Sequence, residues 1–251
     1  MMKLKPILIK IGGHDIADPN FLSELASVIA TMTVPVAIVH GGGKEISDMQ
    51  QRLDIEPQYI DGVRITDAES LSVVTMVLCG TVNKRLVRTL TSNGVDAQGL
   101  SGVDRGIIRA AKMPHPSIDM KFTGEVIRVR DDVLLMMMAQ GIVPVIAPIC
   151  AGKDSSYNVN ADHVAGAVAA AIGVERLVFI TNVEGVLVNE TVKLSMTQLE
   201  TAALIADGTI FGGMIPKVTT ALHTLQSGVA KAVITNLTGF KTHGGTVFIH
   251  S

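Results

Sequence analysis

Lys10 is out of place in the run Ile7-Leu8-Ile9-Lys10-Ile11, whose other members are all apolar. Such a side chain must either snorkel past a sheet edge or carry its charge to whatever lies beyond the strand. Gly12-Gly13 follows directly, and a second glycine turn, Gly41-Gly42-Gly43 after His40, closes the apolar run 34–39. Glycine lets backbone N–H groups approach an anion closely, and a helix N-terminus behind the turn adds positive potential. A tight strand–helix turn that holds no ligand would read the same way. Lys217 follows Phe211-Gly212-Gly213-Met214-Ile215-Pro216 at the start of an apolar helical stretch. It is either a solvated first-turn lysine, slightly unfavourable against the helix dipole, or a cation aimed at a site. Asp162, in Tyr157-Asn158-Val159-Asn160-Ala161-Asp162, precedes the helical stretch 164–172 and could cap it, serve a site, or both. Arg64, in Gly62-Val63-Arg64-Ile65-Thr66, is a surface arginine or an anion contact. No GxxxxGK[ST] run occurs, and no GxGxxG follows the first strand, so neither a Walker A loop nor a dinucleotide fingerprint is present. The seven histidines show no close-paired ligand spacing and read as structural or surface residues. Cys79 and Cys150 fit no metal or redox motif and read as buried free thiols in a reducing compartment.

The elements that must position these residues are legible from hydrophobic pattern. Runs at 7–11, 34–39, 142–149, 177–180 and 232–234 are apolar throughout rather than alternating, which suits strands covered on both faces. Helices are expected at 20–32, 44–53, 67–92, 131–140, 162–172, 196–206 and 214–227. Thr66-Asp67-Ala68-Glu69 reads as a capping box, Ser195-Met196-Thr197-Gln198 repeats the start signal, and Asn93-Gly94 and Asp207-Gly208 read as stops. The stretch 106–130 alternates more, is broken by Pro114 and Pro116, and reads as a β-hairpin excursion over one lobe's opening. The expected class is therefore α/β: a three-layer α/β/α sandwich around a mainly parallel open sheet. In such sheets ligands sit beyond the carboxyl ends of the strands. At 251 residues the chain is expected to form one domain with two lobes, about 1–150 and 151–251, on one continuous sheet. A formal net charge of −2 without a long basic block, 3% aromatic residues and no Trp argue against a nucleic-acid surface. The longest apolar run, 164–174, is too short to span a bilayer, and Lys10 interrupts the first run before a signal-peptide core develops. A soluble cytoplasmic protein is expected.

Taken together, these motifs resemble the amino-acid kinase family, and within it the branch that phosphorylates N-acetyl-L-glutamate in arginine biosynthesis. The resemblance is carried by Lys10-Ile11-Gly12-Gly13, Val39-His40-Gly41-Gly42-Gly43, Gly62-Val63-Arg64-Ile65-Thr66, Val82-Asn83-Lys84, Gly99-Leu100-Ser101-Gly102, Tyr157 to Asp162 and Gly212 to Lys217, in the family's order over essentially the whole chain. It implies the amino-acid kinase fold and transfer of the γ-phosphoryl of ATP, with Mg²⁺ carried by the nucleotide, to the acceptor's side-chain carboxylate. It places Lys10 and Lys217 on the transferring group, with Asp162 between them. Gly12, Gly13, Gly42 and Gly43 would contact phosphate or acceptor, and Arg64 and Asn158 would hold the acceptor. The nucleotide would lie along Thr181, Asn182, Val183, Gly185 and Val186, and along Thr209, Ile210, Phe211 and Gly213.

Three departures stand out. Lys44 replaces a common Pro, Asp104-Arg105-Gly106 alters the loop after Gly102, and the first strand begins almost at once. The last feature leads to the expectation of a homodimer that lacks the N-terminal helix of arginine-inhibited hexameric relatives. A sister kinase acting on carrier-linked aminoadipate or glutamate would use Lys44, Arg105 and Arg109 as a basic patch. A non-catalytic amino-acid sensor on the same fold would have no need of Lys10, Asp162 and Lys217 together. The implied chemistry fits the residues: a carboxylate of pKa about 4.3 is already ionised at neutral pH and needs no general base. What it needs is alignment of two repelling anions and neutralisation of dispersed charge.

Overall fold

The computed structural model describes residues 4–12, 15–60 and 62–250. Gly13, expected to contact phosphate, lies outside the described residues. Strand β1 (Ile7–Ile11) is followed by α1 (Pro19–Ala30), β2 (Val36–His40) and α2 (Gly43–Arg52). A ribbon, β3 (Gln58–Ile60) and β4 (Val63–Ile65), leads into α3 (Ala68–Thr75), a π-helical stretch at Met76–Val82 and α4 (Asn83–Ser92). Next come β5 (Ala97–Ser101), β6 (Ile108–Lys112), β7 (Thr123–Val129), α5 (Asp131–Ala139), β8 (Val143–Ala147), β9 (Ile149–Ala151) and β10 (Ser156–Val159). Then follow α6 (Ala161–Ile172), β11 (Arg176–Ile180), β12 (Leu187–Val188), β13 (Thr191–Val192), β14 (Ser195–Met196) and α7 (Gln198–Ala206). The chain closes with α8 (Met214–Gln226), β15 (Lys231–Thr235), α9 (Leu237–Thr242) and β16 (Thr246–Ile249).

Eight strands form one sheet in the order β14-β16-β15-β11-β1-β2-β8-β5, parallel except where β15 meets β16. Alternation along β1 decides which side chain enters which layer. Ile7, Ile9 and Ile11 pack into a core with Leu22 and Leu25 of α1, Val74 of α3 and Leu86 of α4. Leu8 faces the other way, into a core with Leu134 of α5, Val164 and Ala165 of α6, and Val218 of α8. Two cores, one on each face of a mainly parallel sheet, make the expected three-layer sandwich. β1 lies where the strand order reverses, between β2 and β11, so the crevice at its carboxyl end is the place where an open α/β sheet takes a ligand.

The excursion at 106–130 is one hairpin, β6 and β7, closed into a four-stranded unit by β9 and β10. β10 pairs in parallel with β7, bringing Asn158 opposite Thr123. Among the described residues no helix is long and apolar enough to cross a membrane.

Several local expectations shift. Asp67, not Thr66, caps α3, accepting the Ser70 N–H at 2.8 Å. Thr66 is still in extended chain and is fully buried, with its hydroxyl bonded to the site instead. The second capping box begins at Thr197, which exchanges hydrogen bonds with Glu200. Cys150 is buried as expected, whereas Cys79 is only half-buried. Burial pushes the two thiols up to about 12 and about 11 respectively, so both stay protonated at neutral pH.

Candidate active site

Lys10 shares the face of β1 that carries Leu8, so its side chain runs beneath the start of α6. There its Nζ lies 2.7 Å from Asp162 Oδ1, with the two side chains 16% and 28% exposed. The cap of α6 is Asn160, whose side chain accepts the Asp162 N–H at 2.8 Å. Asp162 is thus relieved of capping and its carboxylate pairs with the lysine. At Gly12 a Cβ would fall 2.5 Å from Lys10 Nζ, so only glycine leaves the ammonium its place.

Two cavities share Lys10, Gly12 and Asp162 as a common wall. One, of about 450 Å³, is also lined by Thr181, Asn182 and Lys217. The other, of about 420 Å³, is lined by Gly42, Gly43, Arg64 and Asn158. Lys217 faces the first cavity from α8, but its Nζ donates to the Gly213 carbonyl of its own first turn at 3.3 Å. Asp162, expected between the two lysines, therefore pairs with Lys10 and not with Lys217 among the described residues. A third cavity, of about 410 Å³, collects Val183, Gly185, Val186, Thr209, Ile210 and Phe211. Val186 and Ile210 are buried and Phe211 is 74% exposed. Gly213 borders none of the three.

The second cavity is braced by residues that the sequence did not single out. Gly42 caps α2 at φ +156°, and a Cβ there would meet Leu78 Cδ2 at 2.8 Å, so both conformation and space require glycine. Arg64 donates to Ser47 Oγ at 2.9 Å and to Gln50 Oε1, and its guanidinium lies 4.8 Å from the Tyr59 ring centroid. Gln50 is fully buried and donates onward to Ser70 Oγ at 3.0 Å. These partners fix the guanidinium while leaving its charge to act on an anion. Asn158 Nδ2 donates to Thr66 Oγ1 at 2.9 Å. Thr123 Oγ1 donates to the Arg64 carbonyl at 2.6 Å and accepts the Thr66 N–H at 2.9 Å, so the hairpin holds both candidate acceptor contacts. Lys44 borders this cavity and pairs with Asp48 at 2.7 Å. Asp104 Oδ2 accepts from the Ser101 N–H and hydroxyl at 2.5 and 2.8 Å, which makes it a brace of its own loop.

His40 ends β2 and is fully buried. Its Nδ1 is 2.9 Å from the Gly41 carbonyl and its Nε2 is 3.0 Å from Asn83 Nδ2. A carbonyl only accepts, so Nδ1 carries the proton and Nε2 accepts from the amide. Burial drives the imidazole pKa down to about 4, helped by the cations Arg85 and Lys84.

Residues 5–236 match the amino acid kinase family. The chain belongs to that family, and is a kinase. Acetylglutamate kinase from Roseiflexus sp. (strain RS-1) is 51% identical to it over 96% of this chain and 92% of that protein. In shape the chain is similar to smu.665 from Streptococcus mutans UA159, with a TM-score of 0.80, 29% identity, and coverage of 97% of this chain and 98% of that one. It is also similar to carbamate kinase from Giardia lamblia bound to AMP-PNP, with a TM-score of 0.71, 15% identity and full coverage of both chains.

A pH dependence of stability follows from His40. Between its unfolded pKa of about 6.5 and its folded value of about 4, the unfolded chain binds a proton that the folded one does not. Stability from this group is complete above pH 6.5 and is lost as pH falls towards 4, by about 3 kcal/mol in all. Urea unfolding of the wild type and His40→Asn across this range should give a shallower slope for the variant. Parallel profiles would contradict the assignment.

Proposed function

We propose that the chain transfers the γ-phosphoryl group of ATP, bound as its magnesium salt, to the side-chain carboxylate of N-acetyl-L-glutamate. The product is N-acetyl-L-glutamyl 5-phosphate, and the reaction serves arginine biosynthesis. The observation that carries this reading is the Lys10–Asp162 pair on the common wall of two cavities. The identity to an acetylglutamate kinase over nearly the full chain supports the choice of acceptor.

In this reading Arg64 and Asn158 hold the acceptor, and the N–H groups of Gly12, Gly42 and Gly43 hold acceptor or phosphate. The nucleotide occupies the cavity of Thr181 and Asn182 and extends along Val183, Gly185, Val186, Thr209, Ile210 and Phe211. Residues of about 1–150 form the acceptor lobe and 151–251 the nucleotide lobe, with Asn158 and Asp162 reaching across. The acceptor carboxylate is ionised, so the protein supplies no base; it brings two anions together and neutralises the charge dispersed over the transferring group. Lys10 lies at the meeting point of both cavities, and Asp162 fixes its direction. Lys217 leaves the Gly213 carbonyl to meet the phosphoryl oxygens as they arrive. Magnesium, travelling with ATP, offsets the remaining phosphate charge.

A carrier-linked acceptor calls for a basic patch at the mouth of the acceptor cavity. Of Lys44, Arg105 and Arg109, only Lys44 borders it, and Asp48 already pairs with that residue. This favours a free small acceptor. We also propose a cytoplasmic location, which suits two protonated free thiols. We propose a homodimer as well. Light scattering on the eluting protein should give twice the chain mass, and a single-chain mass would count against it.

The assay is ADP release with hydroxylamine trapping of the acyl phosphate. N-acetyl-L-glutamate should turn over well ahead of glutamate and N-acetyl-aminoadipate. Lys10→Ala and Lys217→Ala should each lower kcat by on the order of 10²–10³. Near-normal turnover by either variant, or no preference for the acetylated acceptor, would sink the proposal.

A further inference from the structure

Two sequence features have no role in the reaction as described above: the imidazole of His40 and the Asn83 that follows the π-helical stretch. We infer that His40, backed by Asn83, is a positioning residue for the acceptor, because it sets the direction of the Gly42 N–H. The inference rests on the proposed acceptor cavity.

The peptide that joins Gly41 to Gly42 is planar and trans, so its carbonyl and its N–H point in opposite directions. His40 Nδ1–H holds the Gly41 carbonyl from the buried side at 2.9 Å. The Gly42 N–H is thereby turned away from the ring, in a turn whose three glycines all border the acceptor cavity. The peptide before it is fixed as well, since the Gly41 N–H donates to the Ile11 carbonyl at 2.8 Å. The turn is thus clamped on one side to the end of β1 and on the other to an imidazole.

The imidazole is itself clamped. Asn83 Nδ2 donates to the Val145 carbonyl at 2.9 Å and to His40 Nε2 at 3.0 Å. Both partners require a donor, so the amide can sit only one way round and the ring can take only the Nδ1–H tautomer. Its Oδ1 accepts from Lys84 Nζ at 3.2 Å, and the residue is 1% exposed. The π-helical stretch at Met76–Val82 widens the rod just before Asn83, a departure from α geometry of the kind that recurs at functional sites. Gly99 of β5 completes the arrangement, because a Cβ there would overlap Asn83 Oδ1 and lie 2.8 Å from Lys84 Nζ.

The test is steady-state kinetics of the full chain with three variants. His40→Leu removes both hydrogen bonds, Gly99→Ala displaces Asn83, and His40→Asn keeps an amide N–H able to replace Nδ1–H. His40→Leu and Gly99→Ala should raise the acceptor KM about tenfold or more while the ATP KM moves less than about twofold. His40→Asn should recover most of that loss. If both KM values rise together, or the Asn variant is no better than the Leu variant, His40 is merely structural. Should the Leu variant fail to fold, nitrogen NMR of histidine-labelled wild type decides the geometry without any substrate. An Nδ1–H tautomer unchanged from pH 6 to 8 is expected, and an Nε2–H tautomer or a titration in that range would overturn the proposal. Wild type that turned over a different acceptor would overturn the functional reading instead, and the KM split would then be read with that acceptor.

Discussion

An ammonium group enclosed by protein must find a counter-charge, because an unpaired buried ion costs several kcal/mol. Lys10 is largely though not wholly enclosed, and its pairing with Asp162 at 2.7 Å places demands on much of the surrounding fold. The strand that carries it must be central, so that its end opens into the crevice between β2 and β11. α6 must begin above that end with its carboxylate in the first turn, which requires another residue, Asn160, to do the capping. Gly12 must lack a side chain, and Leu8 must face the same layer as the lysine. The ion pair is the point at which sheet register, helix start and turn composition have to agree.

Around that point the site is assembled from both ends of the chain, and its precision comes from polar side chains that never face solvent. The buried amide of Gln50 orients Arg64, while Thr123 of the hairpin ties the Arg64 backbone to Thr66 and so to Asn158. The hairpin is therefore hydrogen-bonded into the wall of the second cavity rather than merely laid over it. Such networks pre-align binding groups before any ligand arrives, which is where a reaction between two anions gains most.

The sequence disclosed those features that violate a local pattern. Lys10 stands in an apolar strand, Arg64 and Lys217 sit beside glycine turns, and continuous apolar runs betray strands covered on both faces. It concealed features that obey their local pattern. Ser47 and Gln50 look like any polar face of an amphipathic helix, and Thr123 like any hairpin residue; only tertiary contact gives them meaning. β5, Ala97-Gln98-Gly99-Leu100-Ser101, is an edge strand and lacks the continuous apolar run that marks the inner ones, and the six residues of α9 are too few to show a helical period. The π-helical stretch follows the same hydrophobic pattern as the α-helices either side of it. Asp67 and Thr66 are both good caps in sequence, and the burial of Thr66 beside Asn158 decides between them.

In the proposed function, phosphoryl transfer takes place at the wall shared by two cavities, between a lysine already held by Asp162 and one that must leave its own helix. A crystal structure of the chain with MgADP, aluminium fluoride and N-acetyl-L-glutamate tests this most directly. The planar fluoride should lie about 3 Å from both Lys10 Nζ and Lys217 Nζ, with the acceptor on Arg64 and Asn158. A fluoride remote from Lys10, a Lys217 still bonded to the Gly213 carbonyl, or an acceptor seated beside Thr181 would contradict it.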